Sequence, residues 1–319
     1  MDAKKIVILG TGGTIAGQSA SAANNIDYTA AQLGVDQLVA AIPALAGQGD
    51  LLCEQVAQID SKDMTFALWT ALASRVQHHL AQADVQGVVI THGTDTLEET
   101  AYFLQAVLGP SKPVVLTCAM RPATAAEPDG PQNIFDAVTV ARYPGAQGVV
   151  VVCAGVVHSA VDVQKIHTLQ LNAFASGDAG PTALIGENSL KLVRNWPETQ
   201  KKHARAAIEN VAILERTGFW PKVDIIMNYA GVGGNLVDAL VTQGVQGLVV
   251  AGMGNGTVHQ VLESALLKAK AQGVQVVRAT RCVNGPVLAR ADDRFPASNG
   301  LSPVKARVAM MLQLMGIEA

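Results

Sequence analysis

Short, almost uninterrupted apolar runs recur along the chain, separated by longer stretches in which apolar residues return every three or four positions. Val149-Val150-Val151-Val152 is the plainest of the runs. The runs read as strands at Lys5–Leu9, Leu51–Ile59, Gly87–Thr91, Pro113–Cys118, Gly148–Ala154, Val223–Asn228, Gly247–Ala251 and Val274–Arg278. A strand that is apolar at successive positions is buried on both faces, as in a parallel sheet covered by helices. The longer stretches read as helices at Met64–Ala81, Leu97–Val107, Gln132–Ala141, Leu236–Gln243, Val258–Gln272 and Pro303–Leu314. Strand and helix in alternation predict an α/β fold with right-handed crossovers. The polar stretch from Pro197 to Arg205 breaks the rhythm. It places a boundary between a larger N-terminal domain on a mainly parallel sheet (1–196) and a smaller parallel-sheet domain (220–319), with 197–219 as linker. Ser19–Asn25 is small and polar, which predicts a mobile loop.

Composition narrows the function. Hydrophobic residues make up 49% of the 319 and charged residues 15%, enough for a substantial core. A net charge of −3 and 4% aromatics offer neither a field nor a stacking surface for nucleic acid. The apolar run Ile6–Leu9 is far shorter than a secretory core of about 7–15 residues or a membrane span of about 18 or more. It predicts a first strand, no membrane contact and a cytoplasmic protein. Cys53, Cys118, Cys153 and Cys282 stand apart and predict buried reduced thiols. No Cys/His cluster has ligand spacing, so no metal is expected, and the adjacent His78-His79 reads as surface.

Two turns carry candidate chemistry. Gly10-Thr11-Gly12-Gly13-Thr14-Ile15-Ala16-Gly17 follows the first strand. It fails the dinucleotide fingerprint, because Ile15 stands where the third glycine belongs, and it lacks a P-loop lysine. Thr11 and Thr14 would face the crevice beyond the strand ends, or merely cap a helix. Thr91-His92-Gly93-Thr94-Asp95-Thr96-Leu97-Glu98-Glu99 follows another buried strand and ends at a helix start. Thr96 with Glu99, or Asp95 with Glu98, has capping-box form, while Thr94 sits where backbone N–H groups stabilise an oxyanion.

These turns, with Met120-Arg121-Pro122-Ala123-Thr124, Asp129-Gly130, Asp162-Val163-Gln164-Lys165, Gly180-Pro181, Gly254-Asn255-Gly256 and Lys305-Ala306-Arg307, resemble the bacterial asparaginase/glutaminase family over nearly the whole chain. The resemblance implies hydrolysis of the L-asparagine side-chain amide without a cofactor, and the departure at Lys62 described below adds the expectation of weak glutaminase activity. It implies Thr14 as nucleophile, Tyr28 on a flexible loop as its activator, and Thr94, Asp95 and Lys165 as a second catalytic set. Ser61 would bind the substrate α-carboxylate, Asp95 the α-ammonium, and Ala119 would lie near the scissile amide. Gly13, Asp60, Lys62 and Thr94 complete the implied substrate contacts. The resemblance further implies a homotetramer, a dimer of dimers, in which the N-terminal domain of one subunit meets the C-terminal domain of another. Read without it, Lys165 would be a solvent-facing strand residue, Tyr28 a loop aromatic and Ser61 the N-cap of Met64–Ala81. Cys118 would be a nucleophile without a histidine partner.

The chain departs from the family pattern in two places. Lys62 stands where many members carry glutamine, and a cation there would repel the substrate ammonium. Lys62→Gln is therefore expected to improve efficiency on asparagine. Ala289-Arg290-Ala291-Asp292-Asp293 replaces a segment that elsewhere supplies a glutamate from a neighbouring subunit. Thr257 and His259 stand where some members have asparagine and tyrosine. The reading from a different class is a non-catalytic, or differently specific, small-molecule-binding α/β protein. Joint presence of Thr14, Thr94, Asp95 and Lys165 argues against it.

Overall fold

The first apolar run leads a sheet that continues through most of the others. The computed structural model describes residues 4–23, 26–186, 189–197 and 203–317. Its elements run, in chain order, β1 (Lys5–Gly12), α1 (Val35–Ala40), β2 (Leu51–Ile59), α2 (Phe66–Leu80), β3 (Val85–Thr91), α3 (Leu97–Leu108), β4 (Pro113–Thr117), α4 (Gly130–Arg142), β5 (Gly148–Cys153), β6 (Val156–Ser159), β7 (Gln164–Lys165), β8 (Phe174–Ala175), β9 (Ala183–Gly186), β10 (Ser189–Leu192) and α5 (His203–Arg216). There follow β11 (Val223–Met227), α6 (Asn235–Thr242), β12 (Gly247–Gly252), α7 (Gln260–Ala271), β13 (Gln275–Thr280) and α8 (Pro303–Leu314).

The chain divides into two α/β units, one ending at Glu215 and one beginning at Arg216. The first holds an eight-stranded sheet of order β10-β9-β6-β5-β4-β3-β1-β2. Strands β1 to β5 are mutually parallel, and β6, β9 and β10 extend the sheet antiparallel. The parallel part thus has the order 2-1-3-4-5, whose reversal point lies between β1 and β3. A ligand crevice is expected there, beyond the carboxyl ends of the strands. The second unit is a three-stranded parallel sheet, β11-β12-β13, packed by α7 and α8.

Alternation sorts the first sheet's side chains. Ile6, Ile8, Val89, Val115, Val150 and Val152 lie in one cluster with Leu38 of α1 and Ile134, Ala137 and Val138 of α4. Intervening residues such as Val7, Leu9, Val88 and Ile90 are equally buried and face α2 and α3. Those two helices are joined by the stacked Trp69 and Phe103 rings (4.9 Å) and by the Trp69 indole N–H donating to Thr100 Oγ1 (2.9 Å). Each such fully buried side chain contributes about 1.5–3 kcal/mol.

Several expectations shift. β1 continues to Gly12, because Gly10 and Gly12 still pair with Gln55 and Ile59 of β2. α1, the antiparallel β6–β10 region and α5 have no counterpart among the predicted elements. Residues 198–202 of the polar stretch and Asn24 and Asn25 of the Ser19–Asn25 loop lie outside the described residues. His79 is not a surface residue: it is buried against Glu54 Oε2 at 2.8 Å, while His78 is exposed. Among the described residues all four cysteines are free, no group of three His, Cys, Asp or Glu is placed to hold a metal, and no helix is long and apolar enough to cross a membrane.

Candidate active site

β1 ends in two glycines with positive φ, Gly12 (99°) and Gly13 (84°). They turn the chain into a short 3-10 turn at Thr14–Ala16. A Cβ on Gly13 would lie 2.3 Å from Gly93 Cα, and one on Gly93 would lie 2.5 Å from Ser61 Oγ. The turns after β1, β2 and β3 therefore abut, and only glycine allows the approach. Thr14 and Thr94 each follow one of these glycines, so both stand at the reversal point of the sheet.

The side chains form two hydrogen-bonded groups. Thr14 Oγ1 and Tyr28 Oη share a bond of 2.7 Å. Lys165 Nζ donates to Thr94 Oγ1 at 2.8 Å and to Asp95 Oδ1 at 2.7 Å. Lys165 comes from β7, whose pairing with β8 sets it opposite Phe174. It is not the solvent-facing strand residue that alternation alone suggests. Thr14 and Thr94 are each 7% exposed, whereas the Asp95 side chain is 52% exposed, as a group that meets a substrate from solvent should be.

Ser61 is buried and holds the floor. Its Oγ accepts from the Asp95 N–H (3.1 Å), and its carbonyl accepts from Thr96 Oγ1 (2.8 Å). Hence Ser61 does not cap α2, whose N-cap is Thr65, and Thr96 spends its hydroxyl on Ser61 rather than on a capping box. Thr11 also differs from expectation. Its hydroxyl donates to Thr91 O at 2.9 Å, tying β1 to β3 instead of facing the crevice. The Lys62 side chain is 61% exposed, and its ammonium pairs with Asp60 at 2.5 Å and Asp63 at 3.7 Å. The Asp60 hydrogen bond raises the Lys62 pKa, keeping it cationic. Asp60 is thus engaged by Lys62 and by capping its own turn. Ala119 is buried just after β4.

Two further groups can be excluded as bases or nucleophiles. His92 is wholly buried with Nδ1 at 2.7 Å from Gly93 O, and burial lowers its pKa to about 4, so the ring is a weak base with no access to solvent. A hydrogen bond with Cys153, reinforced by burial, pushes the Cys118 thiol well up, so no thiolate is available. Sequence reasoning missed the roles of Thr11 and Thr96, since a hydroxyl's partner across a sheet leaves no trace in spacing. It also assigned no role to Asn133 on α4.

Comparison with known proteins agrees with this geometry. Residues 5–198 match the family model for the asparaginase N-terminal domain, and residues 222–316 that for the glutaminase/asparaginase C-terminal domain. L-asparaginase 2 of Bacillus subtilis is 39% identical, covering 98% of this chain and 83% of the relative. L-asparaginase 2 of Escherichia coli is 39% identical over 97% and 88%. The glutaminase-asparaginase of Pseudomonas fluorescens is 38% identical over 97% and 86%. Among solved structures, a probable cytoplasmic L-asparaginase from Campylobacter jejuni superposes with a TM-score of 0.89 at 38% identity, covering 98% of this chain and 95% of that one. With both domain families matched in order and relatives aligned almost end to end, the chain belongs to the asparaginase family.

Proposed function

We propose that the protein hydrolyses the side-chain amide of L-asparagine to L-aspartate and ammonia, with Thr14 as nucleophile. The observation that carries this reading is the pairing of two threonines on abutting strand-end turns, one bonded to a tyrosine and one to a lysine–aspartate pair. A threonine hydroxyl is a weak nucleophile and needs a partner to take its proton. Tyr28 Oη is within reach of Thr14, and Lys165 Nζ is within reach of Thr94. Attack of Thr14 Oγ1 on the amide carbon gives a tetrahedral oxyanion, stabilised by backbone N–H groups at the strand ends. The amide nitrogen gains a proton and leaves as ammonia, and an aspartyl ester remains on Thr14. Water then attacks the ester and gives up its proton through Thr94 and Lys165, freeing aspartate and the threonine hydroxyl.

Substrate binding follows from the remaining groups. Asp95 carries the negative charge that an α-ammonium needs. Ser61 Oγ accepts from a backbone N–H, so its own proton is the one offered to the α-carboxylate. Gly13 and Ala119 line the approach to the amide. Glutamine, longer by one methylene, is read as the weaker substrate.

We place the protein in the cytoplasm and read it as a homotetramer. Four free thiols suit a reducing compartment. Ile166 and Leu169, beside Lys165, are 50% and 67% exposed, an apolar rim that a second copy would cover. The test is ammonia release from L-asparagine and, separately, L-glutamine, with wild type and Thr14→Ala. Release from asparagine that falls at least about a thousandfold in the variant supports the reading. Equal rates in the two proteins would refute it.

A further inference from the structure

Behind the catalytic turns, two side chains tie together three segments of backbone. Asp129, at the N-cap of α4, accepts with one carboxylate oxygen from the Met120 N–H and with the other from the Arg121 N–H, both at 2.9 Å. Asn133, one helical turn on and 2% exposed, uses both ends of its amide. Its Nδ2 donates to Cys118 O (2.9 Å) and to Asp129 Oδ2 (3.3 Å), and its Oδ1 accepts from the Ala154 N–H (3.0 Å). The end of β4, the start of α4 and the β5–β6 turn thus meet at one carboxamide. The β5–β6 turn is itself constrained, since Ala154 is held at a φ of 50°.

The segment so tied reaches the catalytic residues at two points. Ala119 lies between Cys118 and Met120, and a Cβ on Gly130 would lie 3.5 Å from Ala119 Cβ and 2.9 Å from Cγ1 of Ile15, the neighbour of Thr14. Further along, the segment seats the loop that carries Tyr28. Ala123 N–H donates to Gly17 O (3.0 Å), Ser19 N–H to Thr124 Oγ1 (2.8 Å), and Ala126 N–H to Ala22 O (3.0 Å). Residues 118–121 are therefore fixed from behind by Asp129 and Asn133, and Ala123, Thr124 and Ala126, which follow directly, hold the loop whose tyrosine meets Thr14.

We propose that Asp129 and Asn133 are positioning residues for amide hydrolysis, holding residues 118–121, and through them the segment that follows, in the one placement that sets the Ala119 peptide and seats Tyr28 on Thr14. The inference rests on the threonine turns being the hydrolytic site. Its physical basis is the steep dependence of rate on alignment, since a misplacement of about 1 Å can cost a hundredfold. Ser61 and Asp95, which bind the two ends of the substrate, belong to other turns. Disturbing this tie therefore lowers kcat and spares KM.

Asn133→Asp keeps the shape but sets an acceptor against Cys118 O and a carboxylate against Asp129. The expected result is a kcat on L-asparagine lower by between about tenfold and a hundredfold, with KM within about threefold of wild type. As pH falls, one of the paired carboxylates takes up a proton and can donate again, so the ratio of variant to wild-type kcat rises. The other titratable groups nearby are the Cys118 and Cys153 thiols and Lys165, with Asp136 one turn further along α4; these are common to both proteins, and the ratio cancels them. Asp129→Asn, at a half-buried position, sets an amide NH2 against one of the two backbone N–H groups; it should lower kcat in the same way and decides the matter if Asn133→Asp does not fold. Wild-type kcat in both variants overturns the inference. So does a loss that tracks thermal stability with a ratio indifferent to pH, which would make the tie merely structural. Absence of ammonia release by wild type would instead sink the hydrolytic reading itself, and the inference with it.

Discussion

Lys62 shows how a single side chain changes meaning once its partners are known. In the sequence it is a cation beside Ser61, the residue the family resemblance assigns to the substrate carboxylate; in the fold its ammonium meets Asp60 and Asp63 in solvent. Exposed pairs of this kind are screened by solvent and contribute little. Lys62→Gln should therefore change kcat/KM on L-asparagine by less than about fivefold. A rise of tenfold or more would restore the idea that Lys62 repels the substrate ammonium. His92 gives a second prediction, in stability. Its pKa falls from an ordinary 6.5 to about 4 through burial, so between those values the unfolded chain takes up a proton that the folded one refuses. Stability is thus fully present above about pH 6.5 and is lost as pH falls toward 4, by on the order of 3 kcal/mol. Denaturant unfolding of wild type and His92→Gln across that window checks this. The variant's slope with pH should be shallower by that amount, and identical slopes would contradict the assignment.

At the scale of elements, the site depends on three turns packed backbone to backbone. Gly13→Ala must place a methyl 2.3 Å from Gly93 Cα at a φ of 84°. Activity should fall by at least about a hundredfold and the melting temperature should drop. An active, equally stable variant would mean that the turns are not held as described. β1 and β3, which position two of these turns, were legible in the sequence, because burial on both faces leaves apolar runs such as Ile6–Leu9. β2 was legible by its full extent, Leu51–Ile59. What escaped were short pieces whose residues carry no period of their own. β7 and β8 have two residues each, too few for alternation to place a side chain correctly: it reads Lys165 as solvent-facing, yet β7 delivers Lys165 to Thr94 and Asp95. Likewise α5 reads as polar connection, since it opens within the charged run Lys201-Lys202-His203-Ala204-Arg205, which masks the apolar positions that follow. The functional residues divide in the same manner. The resemblance to family motifs singled out Thr14, Thr94, Asp95 and Lys165 as candidates, whereas Thr11, Thr96 and Asn133 act through backbone partners 15 to 80 positions away, which spacing cannot encode.

For the molecule as a whole, the proposal of a tetramer follows from the apolar rim beside Lys165 and from family membership. Light scattering of the purified protein at micromolar concentration should give the mass of four chains. A monomer with full activity would show that one chain suffices for catalysis. The central claim concerns Thr14, and the most direct measurement is of the covalent intermediate. Rapid acid quench during turnover of L-asparagine, followed by peptide mapping, should find an aspartyl ester on Thr14 and none in Thr14→Ala. An ester on Thr94 instead, or steady ammonia release with no ester on either threonine and an undiminished rate in Thr14→Ala, would contradict the account.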